Sequence, residues 1–173
     1  RSTRVRSSAA SDVYKRQEGE PGGCICVDDQ VYVWKGLRIM GLGGSIRYNS
    51  EETFQYTERE MRRRVRRLWF KAHRAGGIDL LLTHSPAAGL NDGDDRAHKG
   101  FACFNDLLEE YQPKWFVHGH VHLSYNANLP RVCTHGQTTV INATERYTFE
   151  IPDPDPVARK RFFWNDPAFP TKN

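Results

Sequence analysis

The chain has 173 residues, of which 38% are hydrophobic and 27% charged, and its formal net charge is +4. This is the size of one domain with enough apolar residues for a core, which excludes a wholly disordered protein. No apolar run approaches the roughly 18 residues of a membrane-spanning helix, and no apolar segment of a secretory signal opens the chain. We therefore expect no membrane partner.

The net positive charge of the chain comes from its N-terminal segment. Five of the 25 basic residues and one of the 21 acidic residues lie in residues 1–17, so the rest of the chain carries no net charge. Residues 7–17 read SSAASDVYKRQ, which resembles the translation of a transposase-type sequencing adapter. We expect residues 1–17 to be non-native and authentic sequence to be missing before residue 18.

The N-terminal half of the remaining chain predicts short strands followed by a helix. Alternating or continuous apolar runs favour strands joined by short turns at residues 24–27, 31–34 and 37–42. Thr57 and Glu60 form a capping box at the start of a helix, and apolar residues recur at helical spacing until Gly76-Gly77. Cys24 and Cys26 lie too close for an ordinary disulfide and lack CxxC spacing, so we expect reduced thiols and a cytoplasmic protein.

The C-terminal half predicts a second helix among further strands. The helix is expected over residues 101–111, where apolar residues again recur at helical spacing. Strands are predicted at residues 78–83, 114–118, 132–134, 138–142 and 147–151. The resulting order, β-β-β-α-β-α-β-β-β-β, predicts an α/β layered domain over residues 18–151. Residues 152–173 contain PDPDP and RKRFFW and are expected to form an extended tail.

Two of the predicted strands end at histidines. His84 follows residues 78–83, and His120 and His122 follow residues 114–118. Ligand sites in α/β folds lie beyond the carboxyl ends of strands, so we expect one shared site. Neutral imidazole is a ligand for Zn, Fe, Ni and Mn-type ions, although the HxH spacing alone is also compatible with two surface imidazoles.

Four short motifs carry a family resemblance: GGS at Gly43–Ser45, THSP at Thr83–Pro86, GHVH at Gly119–His122 and VINA at Val140–Ala143. Together they resemble the C-terminal half of a calcineurin-like metallophosphoesterase, over about residues 24–151. The resemblance implies part of a four-layer αββα sandwich whose N-terminal half is missing. It also implies hydrolysis of a phosphate mono- or diester by a hydroxide that two divalent ions (Mn, Fe, Zn, Ni or Co) activate.

The resemblance implies roles for individual residues. His84 and His120 would ligate the second metal ion, and His122 would ligate the first. Positions expected to support these ligands are Gly44, Gly119 and Asn142. The early family motifs DxH, GDxxD and GNH, which supply the other ligands and the proton-donating histidine, do not occur. The catalytic residue therefore stays unknown, and we expect the 173-residue chain to be inactive alone.

Other residues leave alternatives open. Arg47 and Asn49 either line the pocket or belong to a surface loop, and His98 either contacts a substrate phosphate or decorates the start of the second helix. The arginine-rich range 59–67 is either a nucleic-acid patch or a solvated helix face, and nearby glutamates favour the solvated face. The alternative function is therefore a non-catalytic fragment that binds metal, or binds nucleic acid through this basic helix. His118 is expected to be a packed strand residue.

Overall fold

The computed structural model describes residues 24–50, 53–124 and 129–152. Within these residues the chain forms eight strands and two helices. The strands are β1 (Gln30–Trp34), β2 (Leu37–Leu42), β3 (Ser45–Ile46), β4 (Gln55–Tyr56), β5 (Leu80–Thr83), β6 (Trp115–His118), β7 (Val132–His135) and β8 (Thr138–Asn142), and the helices are α1 (Glu58–Arg74) and α2 (Ala102–Tyr111).

A six-stranded mixed sheet forms the centre, in the order β1-β2-β5-β6-β8-β7. The four inner strands β2, β5, β6 and β8 are mutually parallel, and the edge strands β1 and β7 pair antiparallel to their neighbours. Parallel strands place their carboxyl ends at one edge of a sheet. The segments that follow β2, β5, β6 and β8 therefore meet at that edge.

Helix α1 begins and ends where local sequence signals predict. The Thr57 hydroxyl accepts a hydrogen bond from the backbone N–H of Glu60, and the Glu60 carboxylate accepts one from the backbone N–H of Thr57 at 2.7 Å. This reciprocal pair satisfies two N–H groups that the first turn leaves without partners. Gly76 and Gly77 follow α1 with φ angles of 78° and 108°, a conformation that glycine adopts without a steric penalty.

The two faces of the sheet are covered differently. Helices α1 and α2 pack on one face, where side chains such as Met61 and Phe104 meet Met40 and Phe116 from the strands. On the opposite face, the segment that follows β8 lies over the sheet and packs Ile151 into a second apolar cluster. Other members of that cluster are Leu37, Leu80, Trp115, Val117 and Ile141.

Some predicted strands are wrong. Residues 24–27 are not a strand, because β1 already occupies the free edge of β2 and turns into it through Lys35 and Gly36. Residues 147–151 are not a strand either, since they pack across the face of the sheet instead of pairing at its edge. The short parallel pair β3–β4 was not predicted, because two-residue strands leave no periodicity.

Several expectations stay predictions. The predictions of a non-native segment and of an extended tail concern residues 1–17 and 152–173, of which all but residue 152 lie outside the described residues. The described part is a mixed α/β layer, and the four-layer sandwich is untested. The four cysteines are free thiols. In the described ranges no helix is both long and apolar enough to cross a membrane.

Candidate functional site

The carboxyl ends of the parallel strands are joined by a row of main-chain hydrogen bonds. The N–H of His84 donates to the carbonyl of Leu42 at 3.1 Å, and the N–H of Gly119 donates to the carbonyl of His84 at 3.0 Å. On the other side of β6, the N–H of Ala143 donates to the carbonyl of His118 at 2.7 Å. The sheet thus fixes the backbone where each candidate residue leaves its strand.

Two of the predicted ligands face each other at this edge. His84 Nε2 lies 3.0 Å from His120 Nδ1, and both side chains are half-buried. The strands that deliver them, β5 and β6, are adjacent and parallel, which explains how residues 36 positions apart meet. The pair is a juxtaposition of two imidazole nitrogens, the ligand atoms of most divalent transition metals in proteins.

A carbonyl group fixes the tautomer of His120. His120 Nε2 lies 2.7 Å from the main-chain oxygen of Ala97. Because a carbonyl oxygen only accepts, Nε2 carries the proton, and in the neutral ring the lone pair of Nδ1 points toward His84. A carbonyl that accepts from the far nitrogen is the usual support for a metal-ligating histidine, since it orients the ring and raises its basicity.

The donor set fits a divalent transition metal. Two nitrogens that each lie about 2.0–2.1 Å from one ion are roughly 3 Å apart at ordinary coordination angles. The observed distance of 3.0 Å between His84 Nε2 and His120 Nδ1 meets this requirement. Imidazole nitrogens suit Zn, Fe, Ni and Cu better than Mg or Ca, which prefer oxygen ligands.

The loop that carries His120 is held in an unusual conformation. His120 has a φ angle of 67°, which is uncommon for a residue with a side chain. The next residue, Val121, presents its carbonyl to two buried side chains: Asn142 Nδ2 donates to it at 2.8 Å and Thr144 Oγ1 at 3.0 Å. Asn142, at the end of β8, and Thr144, just past it, therefore hold the backbone between the two histidines of the GHVH motif.

His98 is the third imidazole at this edge. Its ring centroid lies 5.3 Å from that of His120, and its Nδ1 lies 2.7 Å from Asp95 Oδ2. The other oxygen of Asp95 accepts hydrogen bonds from the backbone N–H groups of Ala97 and His98. These bonds, above all the one from the His98 side chain, lower the pKa of Asp95. Asp95 thus orders the turn that presents both the His98 ring and the Ala97 carbonyl to His120.

The role of His122 stays a prediction. It lies half-buried two residues beyond His120, past the Val121 carbonyl that Asn142 holds. Over residues 24–50, 53–124 and 129–152, no three His, Cys, Asp or Glu side chains form a group that could hold a metal ion. The structure therefore brings together His84 and His120 but does not add His122 to a three-residue cluster.

The other predicted site residues fall into two groups. Gly44 and Gly119 lie at the strand ends, and a Cβ on Gly44 would come within 2.4 Å of the Tyr56 ring. Arg47 and Asn49 belong to the β3–β4 connection: Arg47 contacts Glu60 at 3.3 Å, and Asn49 Oδ1 accepts from Gln55 Nε2 at 2.8 Å. Those contacts tie the connection to the start of α1 and give no evidence for a pocket role.

His118 is a packed strand residue, as predicted. It is fully buried in β6, and its Nδ1 lies 3.1 Å from the carbonyl oxygen of Gly119. In the described part of the chain its Nε2 has no hydrogen-bond partner. Burial is the main reason that the pKa of His118 falls to about 4. His118 is therefore a neutral core side chain at the end of β6.

Sequence reasoning missed two participants, Asp95 and Ala97. The carbonyl of Ala97 is a main-chain group and leaves no side-chain signal at all. Asp95 carried a signal that was available, because aspartate in a loop typically forms an Asx turn by accepting from the backbone N–H two residues on, here that of Ala97.

Comparisons with known proteins support one class of protein. No family model matches the chain. The chain is 32% identical over 71 residues to "Metallophosphoesterase domain-containing protein 1" of Homo sapiens, and equally to that of Mus musculus; this covers 39% of the chain and 20% of each relative. It is 30% identical over 128 residues to "UPF0046 protein C25E10.12" of Caenorhabditis elegans, which covers 69% of the chain and 41% of the relative.

A solved structure, that of TT1561 from Thermus thermophilus, superimposes with a TM-score of 0.46 at 15% identity, over 68% of this chain and 48% of that one. The chain thus spans between a fifth and two fifths of the curated relatives it matches, and about half of this solved chain. It has distant, partial similarity to proteins named as metallophosphoesterases.

Proposed function

We propose that this chain is part of a metal-dependent phosphoesterase of the calcineurin-like metallophosphoesterase superfamily, with His84 and His120 as metal ligands. The observation that carries the proposal is the pair of nitrogens, His84 Nε2 and His120 Nδ1, 3.0 Å apart where two parallel strands end. The GGS, THSP, GHVH and VINA motifs and the named relatives support the class of enzyme.

Mn, Fe, Zn, Ni or Co ions would be held by His84 and His120, with His122 assigned to the other ion of a pair. When bound, such ions supply Lewis-acid activation of water and of the phosphate ester. The chain's own contribution is to hold the ligands. The Ala97 carbonyl fixes the tautomer of His120, and Asn142 fixes the backbone that joins His120 to His122.

His98 is the residue that we assign to the substrate. Asp95 holds its Nδ1, so the ring is oriented beside His120, where a phosphate oxygen would lie next to the ligands. A histidine in this position donates a hydrogen bond to an anionic oxygen. Substrate binding by Arg47 and Asn49 stays a prediction, because their described contacts are with Glu60 and Gln55.

The rest of the active site belongs, in this proposal, to a longer protein. The chain aligns with 41% of the C. elegans relative and with less of the mammalian ones. We assign the bridging carboxylate, the remaining ligands and the proton-donating histidine to other parts of that protein. The 173-residue chain is then expected to have negligible phosphatase or phosphodiesterase activity.

The test is hydrolysis by the longer protein that contains this chain. Chromogenic phosphate mono- and diesters should be turned over with one of Mn, Fe, Zn, Ni or Co. His84→Ala and His120→Ala should each lower kcat/KM on the order of 100-fold, since each removes a ligand. The matched control is His135→Ala, on edge strand β7, which should leave activity unchanged.

Two results would contradict the proposal. One is a protein that stays inactive with all five metals on both classes of ester, which would favour the non-catalytic alternative. The other is hydrolysis by the 173-residue chain itself that His120→Ala abolishes, which would show that no further ligands are needed.

A further inference from the structure

The outward face of α1 is a stripe of cations around one exposed aromatic ring. We call this surface the basic stripe; it consists of the outward-facing residues Arg59, Arg63, Arg66, Arg67, Phe70, Lys71 and Arg74. At about 100° of turn per residue, these residues fall within roughly 140° of arc around the helix axis, opposite the buried side chains Met61 and Leu68. Phe70 is 69% exposed and lies between arginines one helical turn away on either side.

Glu58 and Glu60, the described acidic side chains at the start of α1, bond to groups outside the basic stripe. Glu58 accepts hydrogen bonds from Arg62 and from the backbone N–H of Cys103, and Glu60 is occupied by Thr57 and Arg47. In the ranges that the structure describes, no cation of the stripe takes part in a salt bridge. Of the nearby glutamates, Glu58 and Glu60 are thus engaged by other partners, and Glu51 and Glu52 lie outside the described residues.

Two other arginines of α1 do not belong to the stripe. Arg64 is buried and binds Asp28, Asp29 and the carbonyl of Gly43. Arg62 pairs with Glu58 and Asp106. Arg62 and Arg64 thus form ion pairs within the protein, whereas the cations of the basic stripe face outward. From residue 59 to residue 74 they extend along about 22 Å of the helix.

We propose that the basic stripe binds single-stranded nucleic acid. Guanidinium groups match phosphate oxygens in a bidentate geometry, and every cation of the stripe except Lys71 is an arginine. An exposed ring among cations provides a face on which an unpaired base stacks, which is how proteins hold single strands without reading their sequence. This surface and its binding do not depend on the proposed phosphoesterase activity.

The structure favours nucleic acid over an anionic membrane. A membrane-surface helix buries its apolar side in the lipid, but the apolar side of α1 is already inside the protein, where Met61 and Ala72 are fully buried. On α1, whose residues are all described, Phe70 is the one large apolar side chain that is exposed and could enter a bilayer. A base-paired duplex would offer phosphates but no free base for Phe70, so a single strand is the better fit.

The experiment measures fluorescence anisotropy of a labelled oligothymidylate of about 12 nucleotides with the full chain. Arg63→Glu/Arg66→Glu/Arg67→Glu should weaken binding at least about tenfold and flatten the slope of log K against log salt by about 2. The matched control reverses three cations elsewhere, Lys35, Lys114 and Arg146, and should weaken binding by less than about threefold although net charge changes equally. Thermal melting checks that both triple variants fold.

Phe70→Ala separates stacking from charge. Because the ring is exposed, melting should be unchanged, while affinity for the oligonucleotide should fall about fivefold with the same salt slope. The proposal is overturned if the two triple variants lose affinity equally, since net charge alone would then explain binding. It is also overturned if the stripe variant binds like the wild type, which would point to basic residues elsewhere such as Arg1–Arg16, or if the chain binds phosphatidylserine vesicles but not the oligonucleotide.

Discussion

Asn142 Nδ2 donates a hydrogen bond to the main-chain carbonyl of Val121 at 2.8 Å, in a fully buried setting. Val121 separates the two histidines of the GHVH motif, and Asn142 is the last residue of the neighbouring strand β8. Asn142 Oδ1 also accepts from the backbone N–H of Thr144 at 3.0 Å. One amide side chain thereby joins the β8 end to the loop that positions His120.

Asn142→Ala is expected to destabilise the fold by about 1–3 kcal/mol, because it leaves the buried N–H of Thr144 without its acceptor and Val121 with one donor fewer. Urea denaturation followed by circular dichroism measures the loss. Thr144→Val should cost less, and the double variant should cost less than the two single costs combined, since both side chains act on the same carbonyl. If Asn142→Ala unfolded with the same midpoint urea concentration as the wild type, the stabilising role of the Asn142 side chain would be refuted.

Gly44→Ala is expected to cost about 2–5 kcal/mol, because a Cβ there would overlap its neighbours and the backbone strains any other residue. That Cβ would lie 2.4 Å from the Tyr56 ring and 2.7 Å from the Phe54 carbonyl oxygen, and the φ angle is 96°. The matched control is Gly136→Ala, where φ is 58° but the space that a Cβ would occupy is empty to 4 Å. Gly136→Ala should therefore lower the free energy of unfolding by only about 1 kcal/mol. Equal melting temperatures for the two variants would show that the strand end relaxes around Gly44.

Arg64→Met is expected to destabilise the protein by about 2–3 kcal/mol, a cost that the partial solvation of its aspartate partners keeps moderate. The Arg64 side chain is 7% exposed and bonds Asp28, Asp29 and the Gly43 carbonyl. Arg62→Met is the control: the Arg62 side chain is 40% exposed, so solvent screens its pairs with Glu58 and Asp106 and the loss should stay below about 1 kcal/mol. If Arg62→Met lost more unfolding free energy than Arg64→Met, the buried Arg64 would not be the more important arginine for stability.

The parts of the fold that are set by local chemistry could be predicted from sequence. The capping box of Thr57 and Glu60 gives the start of α1, and the apolar run at residues 37–42 gives β2. Whether a short apolar run becomes a strand depends on a free neighbouring edge, which is a tertiary property, and residues 24–27 find that edge occupied.

The candidate site, like the fold, has some features that the sequence predicts and others that depend on tertiary structure. His84 and His120 could be paired from sequence because both follow runs that predict parallel strands. The tautomer of His120 depends on the Ala97 carbonyl, and a main-chain oxygen has no sequence signature. The sorting of arginines on α1 was partly accessible, since Arg64 lies three residues after Met61 and four before Leu68, beside the buried side of the helix.

The most direct test of the central claim is a long-range nitrogen–proton NMR correlation of the imidazole rings in the 15N-labelled full chain, titrated with Zn²⁺. Before zinc is added, His120 should be in the Nε2–H tautomer that the Ala97 carbonyl selects. Zinc should shift His120 Nδ1 and His84 Nε2 together, and the nitrogens of His73 on α1 should not move. An Nδ1–H tautomer for His120, or zinc that leaves both of these nitrogens unshifted, would contradict the assignment of this pair as metal ligands.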